Sequence, residues 1–394
     1  MKKQIVFVEY VPNIINLKIA RVLKLKGGYK TTLISFSSID LEIYKKAFDE
    51  VLILNIKHRI NLKNFVDIFK KIKSEDGKKF IRRVREINPD IFQITGPDLF
   101  TAIVMFVTKK KPKIYFAYDI WGFYGRKFSL RDLGIKEFFQ KAFEKICFRK
   151  ADGILHKGPS DELKLLRYKI HAPNLTILPG CLDEWDQKIN VKKNVKKTDI
   201  HLVHASYPPR NTVFHVPFLT IIRKITIQKI HVHTYGRCLD KKEDEIYFNE
   251  EKNNKYFHFH ERLTVDKLKK GISKYDYGIT LDYHFPDTIN PLHQRTTLGN
   301  RLFDYIEAGI PTICFNQSEF FSKIIKDNNI GFSIDYEDLE KLKEIVMKKD
   351  YRKMRKDIKK AQKKFSWNKK LIYDLENFYD SVVKTKENSA HSFS

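Results

Sequence analysis

The stretch Thr297-Leu-Gly-Asn-Arg-Leu-Phe-Asp-Tyr-Ile-Glu-Ala-Gly-Ile-Pro-Thr-Ile-Cys314 concentrates residue types that handle phosphate and sugar hydroxyls. Thr297, Leu298, Gly299 and Asn300 read as a loop that opens a helix at Arg301. Gly309 supplies a helix stop, and Pro311 leads into a strand. A helix N-terminus presents backbone N–H groups and the positive end of its dipole, which suits a diphosphate. Arg301 would add a permanently charged fork for phosphate oxygens. Asp304 follows at i, i+3 on the same face, where a carboxylate can accept hydrogen bonds from ribose or sugar hydroxyls. An ordinary helix with a surface Arg–Asp pair would carry the same residues.

Two carboxylates could serve as a base toward a hydroxyl acceptor. Asp119 falls at the predicted carboxyl end of the strand Lys113-Ile-Tyr-Phe-Ala-Tyr118, and Glu9 ends the strand Gln4-Ile-Val-Phe-Val-Glu9. A turn or cap role fits each equally well. Six histidines fall in three pairs on predicted strands: His201 and His204, His231 and His233, His258 and His260. Alternation puts the members of each of the last two pairs on one face. No Cys or carboxylate stands beside them at zinc-ligand spacing, so no metal is expected.

The elements that must position these groups alternate strand and helix. Gln4–Glu9, the helical spacing of Ile15, Ile19, Val22 and Leu23 up to Gly27-Gly28, and the strand Thr31–Phe36 make a βαβ start and imply a parallel sheet. Strands follow at 51–54, 90–94, 113–118, 151–156 and 175–178, with a basic amphipathic helical region over 61–87 and a helix over 134–150. Ser160-Asp-Glu-Leu reads as a capped helix start. A second series holds strands at 200–204, 230–233, 257–260, 277–281, 312–315 and 331–334, with helices at 265–273, 301–308 and 336–347. The fold class is α/β, with two Rossmann-like domains. The first covers 1–183, and a polar, Lys-rich linker covers 184–198. The second covers 199–366, a helix over 367–385 follows, and the tail 386–394 is expected to be disordered. In open parallel sheets, ligands bind beyond the carboxyl ends of the strands. That places the ligand in a central cleft faced by both sheets.

Lys and Arg total 75 against 48 Asp and Glu, a net +27, which favours an anionic partner. Phosphorylated substrates, an anionic membrane surface and nucleic acid all qualify, as does a Lys-rich surface with no partner. No helix-turn-helix, zinc-finger or RNA-recognition signature is present, so specific nucleic-acid binding is not expected. Four scattered cysteines suggest a reducing compartment. No run approaches the ~18 apolar residues of a membrane span. A cytoplasmic protein is expected, peripheral on the inner membrane face if its basic helices near 63–85 and 136–150 dock on anionic lipid.

The segment Arg301-Leu-Phe-Asp304-Tyr305 with Ala308-Gly-Ile-Pro311 resembles the donor-binding segment of GT-B glycosyltransferases of the retaining, family-4 type. Lys274-Tyr-Asp-Tyr-Gly-Ile-Thr280 resembles the strand before that segment, Lys150-Ala-Asp-Gly-Ile154 the last strand region of the first domain, and Phe365-Ser-Trp367 the entry to the C-terminal helix that crosses back to it. The resemblance implies a GT-B architecture and sugar transfer from a nucleotide-diphosphate sugar to a glycan or lipid-linked acceptor in polysaccharide or glycoconjugate synthesis. It implies retention at the anomeric carbon and no metal for the diphosphate. It assigns Arg210 to the diphosphate beside Thr297–Arg301 and Asp304, and Asp119 to the acceptor. One departure is Thr296, where the family often has the first of two motif glutamates. Another is Val11-Pro-Asn13, in place of a Gly-rich loop. These departures fit a partner-binding pseudo-enzyme of the same fold.

Overall fold

The computed structural model describes residues 2–391 except 11, 36–40, 54–69, 71–72, 97–98, 109, 124–134, 179, 181–198, 209–215, 237–240 and 286–290. The chain divides into two compact units. One is Met1–Leu178 with Trp367–Ser394, the other Pro179–Ser366. The expected linker over 184–198 and Arg210 lie outside the described residues.

The first unit holds seven strands: β1 (Gln4–Glu9), β2 (Lys30–Ser35), β3 (Glu50–Ile53), β4 (Ile91–Thr95), β5 (Lys113–Ala117), β6 (Gly153–His156) and β7 (Asn174–Thr176). Their order is β3-β2-β1-β4-β5-β6-β7. Every pair is parallel. Five of the six β1 residues and all of β4 are buried, because helices cover a parallel sheet on both faces. Chain order reverses between β1 and β4, which makes that point the topological switch of the sheet.

The second unit repeats the scheme with β8 (His201–His204), β9 (His231–Tyr235), β10 (Phe257–His260), β11 (Tyr277–Ile279), β12 (Thr312–Phe315) and β13 (Gly331–Ile334). The order is β10-β9-β8-β11-β12-β13, again all parallel, with the switch between β8 and β11. Leu202, Val232, Phe257, Ile313 and Phe332 pack one core layer. Val203, Tyr235, Tyr275, Tyr305 and Ile310 pack another.

Several elements differ from the sequence reading. Ser160-Asp-Glu-Leu forms a 3-10 turn, Glu162–Leu165, with no side-chain cap. Glu162 instead turns inward, 2.5 Å from His156 Nδ1 and accepting from Gly158 N at 3.1 Å, so a buried ionisable pair replaces the cap. The tail expected to be disordered from residue 386 continues as helix, since Lys369–His391 is one element. Packing anchors it within the first unit. Tyr379 is fully buried and donates to Gln93 Oε1 at 2.5 Å, and Lys386 Nζ lies 2.9 Å from Asp152. Among the described residues, no helix is long and apolar enough to cross a membrane.

Candidate functional site

The helix Arg301–Ala308 stops where Gly309 takes the left-handed conformation, φ 69°, and its N–H bonds back to Ile306 O at 3.0 Å. The helix opens differently from the sequence expectation. Asn300 already has helical angles (φ −61°, ψ −27°) and makes no side-chain cap. The N–H of Leu302 donates to Gly299 O at 3.4 Å, and that of Phe303 to Asn300 O at 2.9 Å. The tight first turn therefore consumes donors expected to face a diphosphate. Thr297 belongs to the preceding helix end, its N–H donating to His293 O at 2.9 Å and its hydroxyl 3.0 Å from His293 Nδ1. Leu298 is buried, so it anchors the loop and does not present a side chain to a ligand.

Arg301 is the charged centre of this end of the sheet. Its guanidinium turns to Asp282, just past β11, and not to Asp304. Its Nη1 lies 3.3 Å from Nε2 of His204, the last residue of β8. His204 Nδ1 sits 3.2 Å from Ile279 O. The neutral Nδ1–H tautomer satisfies both contacts. Burial, followed by the Arg301 charge, lowers the His204 imidazole to about 4. At Asp282, burial pushes the carboxyl up, but Arg301 outweighs it and holds the group below its ordinary value. Asp304 contributes to the field that keeps Arg301 charged, behind Asp282 and Tyr305.

Tyr305 ties the helix to both strands of the switch point. Its hydroxyl is 3.1 Å from Val203 O and 3.0 Å from Ile279 O, and it accepts the Ala205 N–H at 3.1 Å. The ring covers Gly278, where any Cβ would fall 2.3 Å from Tyr305 Cγ. Arg301, His204, Asp282 and Tyr305 thus converge at the carboxyl ends of β8 and β11, where ligands bind in open parallel sheets. Sequence reasoning found Arg301 and missed Asp282. Its only signal was a position three residues past a strand that closes beside β8.

The first unit has its own polar cluster at its switch point. Glu9 Oε2 accepts from Asn13 N at 2.7 Å, and Oε1 from Asn16 Nδ2 at 2.6 Å. Asn16 Nδ2 also reaches Thr95 Oγ1 at 2.7 Å, and Gln93 Nε2 reaches Asn16 Oδ1 at 2.7 Å. Burial pushes the Glu9 carboxyl up to about 8, against the pull of its amide donors. Asp119 lies past β5, one strand further from the switch. Its carboxylate is 3.1 Å from Lys157 Nζ, which also sits 3.8 Å over the Tyr118 ring. Burial works against the Lys157 charge, and Asp119 with Tyr118 outweighs it.

The architecture is that of the GT-B class. Residues 220–369 match the family model of the glucosyltransferase 3-like C-terminal domain, a segment that spans Asp282 and the helix Arg301–Ala308. Three solved structures share the fold over nearly the whole chain. S. aureus TarM, in a variant crystallised with UDP, is 11% identical with a TM-score of 0.65, covering 96% of this chain and 99% of that one. The pneumococcal O-GlcNAc transferase GtfA, crystallised with UDP and GlcNAc, is 10% identical with a TM-score of 0.63, covering 97% and 99%. A UDP-N-acetylglucosamine 2-epimerase is 13% identical with a TM-score of 0.51, covering 91% of each chain. No curated protein matches the sequence. The fold is therefore common to transferases and epimerases, and function must be argued from the site.

Proposed function

We propose that this chain transfers a sugar from a UDP-sugar to a glycan or lipid-linked acceptor, with retention at the anomeric carbon. The observation that carries it is Arg301. This partly buried guanidinium is fixed at the carboxyl ends of β8 and β11 by Asp282 and His204, inside the segment that matches a glucosyltransferase domain. UDP in the TarM and GtfA crystals supports a uridine donor. The chemistry is leaving-group stabilisation. As the sugar departs toward an oxocarbenium ion, negative charge grows on the diphosphate, and a preorganised cation there lowers the barrier by about 3–4 kcal/mol. In this reading Thr297, Gly299 and Asn300 shape the phosphate loop, Arg210 adds a second cation, and Asp304 holds sugar or ribose hydroxyls. Asp119 faces the acceptor, its charge balanced by Lys157.

Acceptor supply at an anionic membrane fits the helix Glu75–Glu86. It buries Phe80 and Val84 and exposes Lys78, Arg82 and Arg85 along one face. In this reading the protein is peripheral on the inner membrane face and takes part in polysaccharide synthesis.

The second reading, a pseudo-enzyme, is favoured by Thr296. That side chain is buried and donates to Leu292 O at 2.9 Å, so no motif carboxylate stands there. The experiment is a thermal-shift screen with UDP, GDP, ADP, CMP and their sugar conjugates on wild type and Arg301→Ala. A ligand at 100 times its Kd adds about 2.7 kcal/mol. A shift with UDP that vanishes in the variant, with sugar transfer detected by mass spectrometry, is expected. UDP binding with no transfer to any glycan or lipid-linked acceptor favours the pseudo-enzyme. No shift with any nucleotide sinks the transferase reading and leaves the partner-binding pseudo-enzyme.

A further inference from the structure

The parallel register of β8, β9 and β10 stacks five histidines on one sheet face. His201 lies opposite His231 and His233 opposite His258, with ring centroids 4.4 and 4.3 Å apart. Imidazole hydrogen bonds connect them into two chains. His201 Nδ1 is 2.9 Å from His233 Nε2, and His233 Nδ1 is 3.0 Å from His260 Nε2. His231 Nδ1 is 2.8 Å from His258 Nε2. Both chains end on one carboxylate. Asp199 Oδ1 lies 3.0 Å from His201 Nε2 and 3.5 Å from His231 Nε2. The sequence reading found no carboxylate at ligand spacing. It missed Asp199, two residues before His201 along the chain and brought to His231 by the pairing of β8 with β9.

We propose that Asp199, His201 and His231 bind a divalent transition-metal ion of the zinc class, with His233 and His258 as the outer shell. Ligands about 2.0–2.1 Å from a tetrahedral ion stand about 3.3 Å from one another, and the two Asp199 contacts bracket that value. One ring nitrogen from each of His201, His231 and His233 lies within 4.8 Å of the other two. A metal at Nε2 requires the proton on Nδ1. That N–H then donates to His233 from His201 and to His258 from His231, which is the outer-shell arrangement that orients metal-bound histidines. The His233 imidazole passes its own proton on toward His260 in the same sense. Asp199 is half exposed, which leaves an entry path.

His201 and His231 are the first residues of their strands, whereas His204 beside Arg301 ends β8. Three residues of strand separate the two ends by roughly 10 Å. The ion would therefore clamp the start of β8 and β9 and the segment entering them, and would not touch a diphosphate at the other end. The proposal is independent of the donor reading.

The test is Zn²⁺ titration of the full chain after chelator treatment, by calorimetry, with Co²⁺ absorption as a second readout. One equivalent is expected to bind, with a rise in Tm and a tetrahedral Co²⁺ spectrum. Asp199→Asn and His231→Gln should each weaken binding at least tenfold. His258→Gln, which touches no ion, should weaken it about 10–100-fold, a response that an adventitious surface pair would not give. His171→Gln, an exposed control, should change nothing. Wild-type affinity retained in Asp199→Asn overturns the proposal, and that half-exposed position keeps the test decisive if a histidine variant fails to fold. Equal affinity in His258→Gln and wild type overturns the outer shell.

Discussion

Replacing Tyr305 with Phe removes one oxygen and leaves the ring over Gly278. That hydroxyl serves three backbone groups: the carbonyls of Val203 and Ile279 and the N–H of Ala205. The residue is fully buried, so water cannot take over the hydroxyl's place. Ile279 O keeps His204 Nδ1 at 3.2 Å, so the uncompensated losses are one N–H and one carbonyl contact. At ~1 kcal/mol for each net bond and 1–3 for a group left unsatisfied, the variant should lose about 2–3 kcal/mol. For a unit of this size that is a fall of about 5–10 °C in Tm. Urea denaturation of wild type and variant measures it. Tyr277→Phe is the internal control, because the Tyr277 hydroxyl is buried with no hydrogen-bond partner among the described residues. Its loss should be neutral or slightly stabilising. If Tyr305→Phe costs less than about 0.5 kcal/mol, or no more than Tyr277→Phe, the hydroxyl does not hold the helix and the account of Arg301's placement is wrong.

Gly278→Ala would put a methyl within 2.5 Å of three ring atoms of buried Tyr305, and should cost about 3 kcal/mol or more by overpacking. Partial recovery in the Gly278→Ala, Tyr305→Ala double variant checks the cause. Glu9 binds its proton more tightly folded than unfolded, so its contribution to stability is complete below pH ~4.5 and is lost as pH rises through about 8, with a ceiling of about 5 kcal/mol. Glu9→Gln should therefore flatten the decline in Tm between pH 5 and 8, and an unchanged slope in the variant would count against it. Asp282→Asn releases the Arg301 guanidinium from its ion pair, and should tighten UDP binding several-fold at low salt while lowering Tm. A tenfold loss of UDP affinity would make Asp282 a ligand and not a competitor.

The sequence by itself determined the alternation of buried strands and amphipathic helices, and with it two parallel sheets. Runs such as Ile5–Val8 and Ile313–Phe315 are apolar on both faces, which a covered parallel strand satisfies. It also set the limits of the helix Arg301–Ala308, because Gly309 takes a left-handed stop and Pro311 forbids continuation. Tertiary structure alone decided the partners. Asp282, His204 and Arg301 come from three separate segments, and only the pairing of β8 with β11 brings their carboxyl ends together. Glu162 changed from an expected helix residue to the buried partner of His156, because the end of β6 placed an imidazole where the carboxyl could be buried beside it. The carboxylate that completes the histidine ladder is two residues from His201 but thirty-two from His231 along the chain. It reaches both because the register sets His201 directly beside His231. Periodicity reports which face a side chain takes. The register between strands far apart in sequence decides which side chains meet.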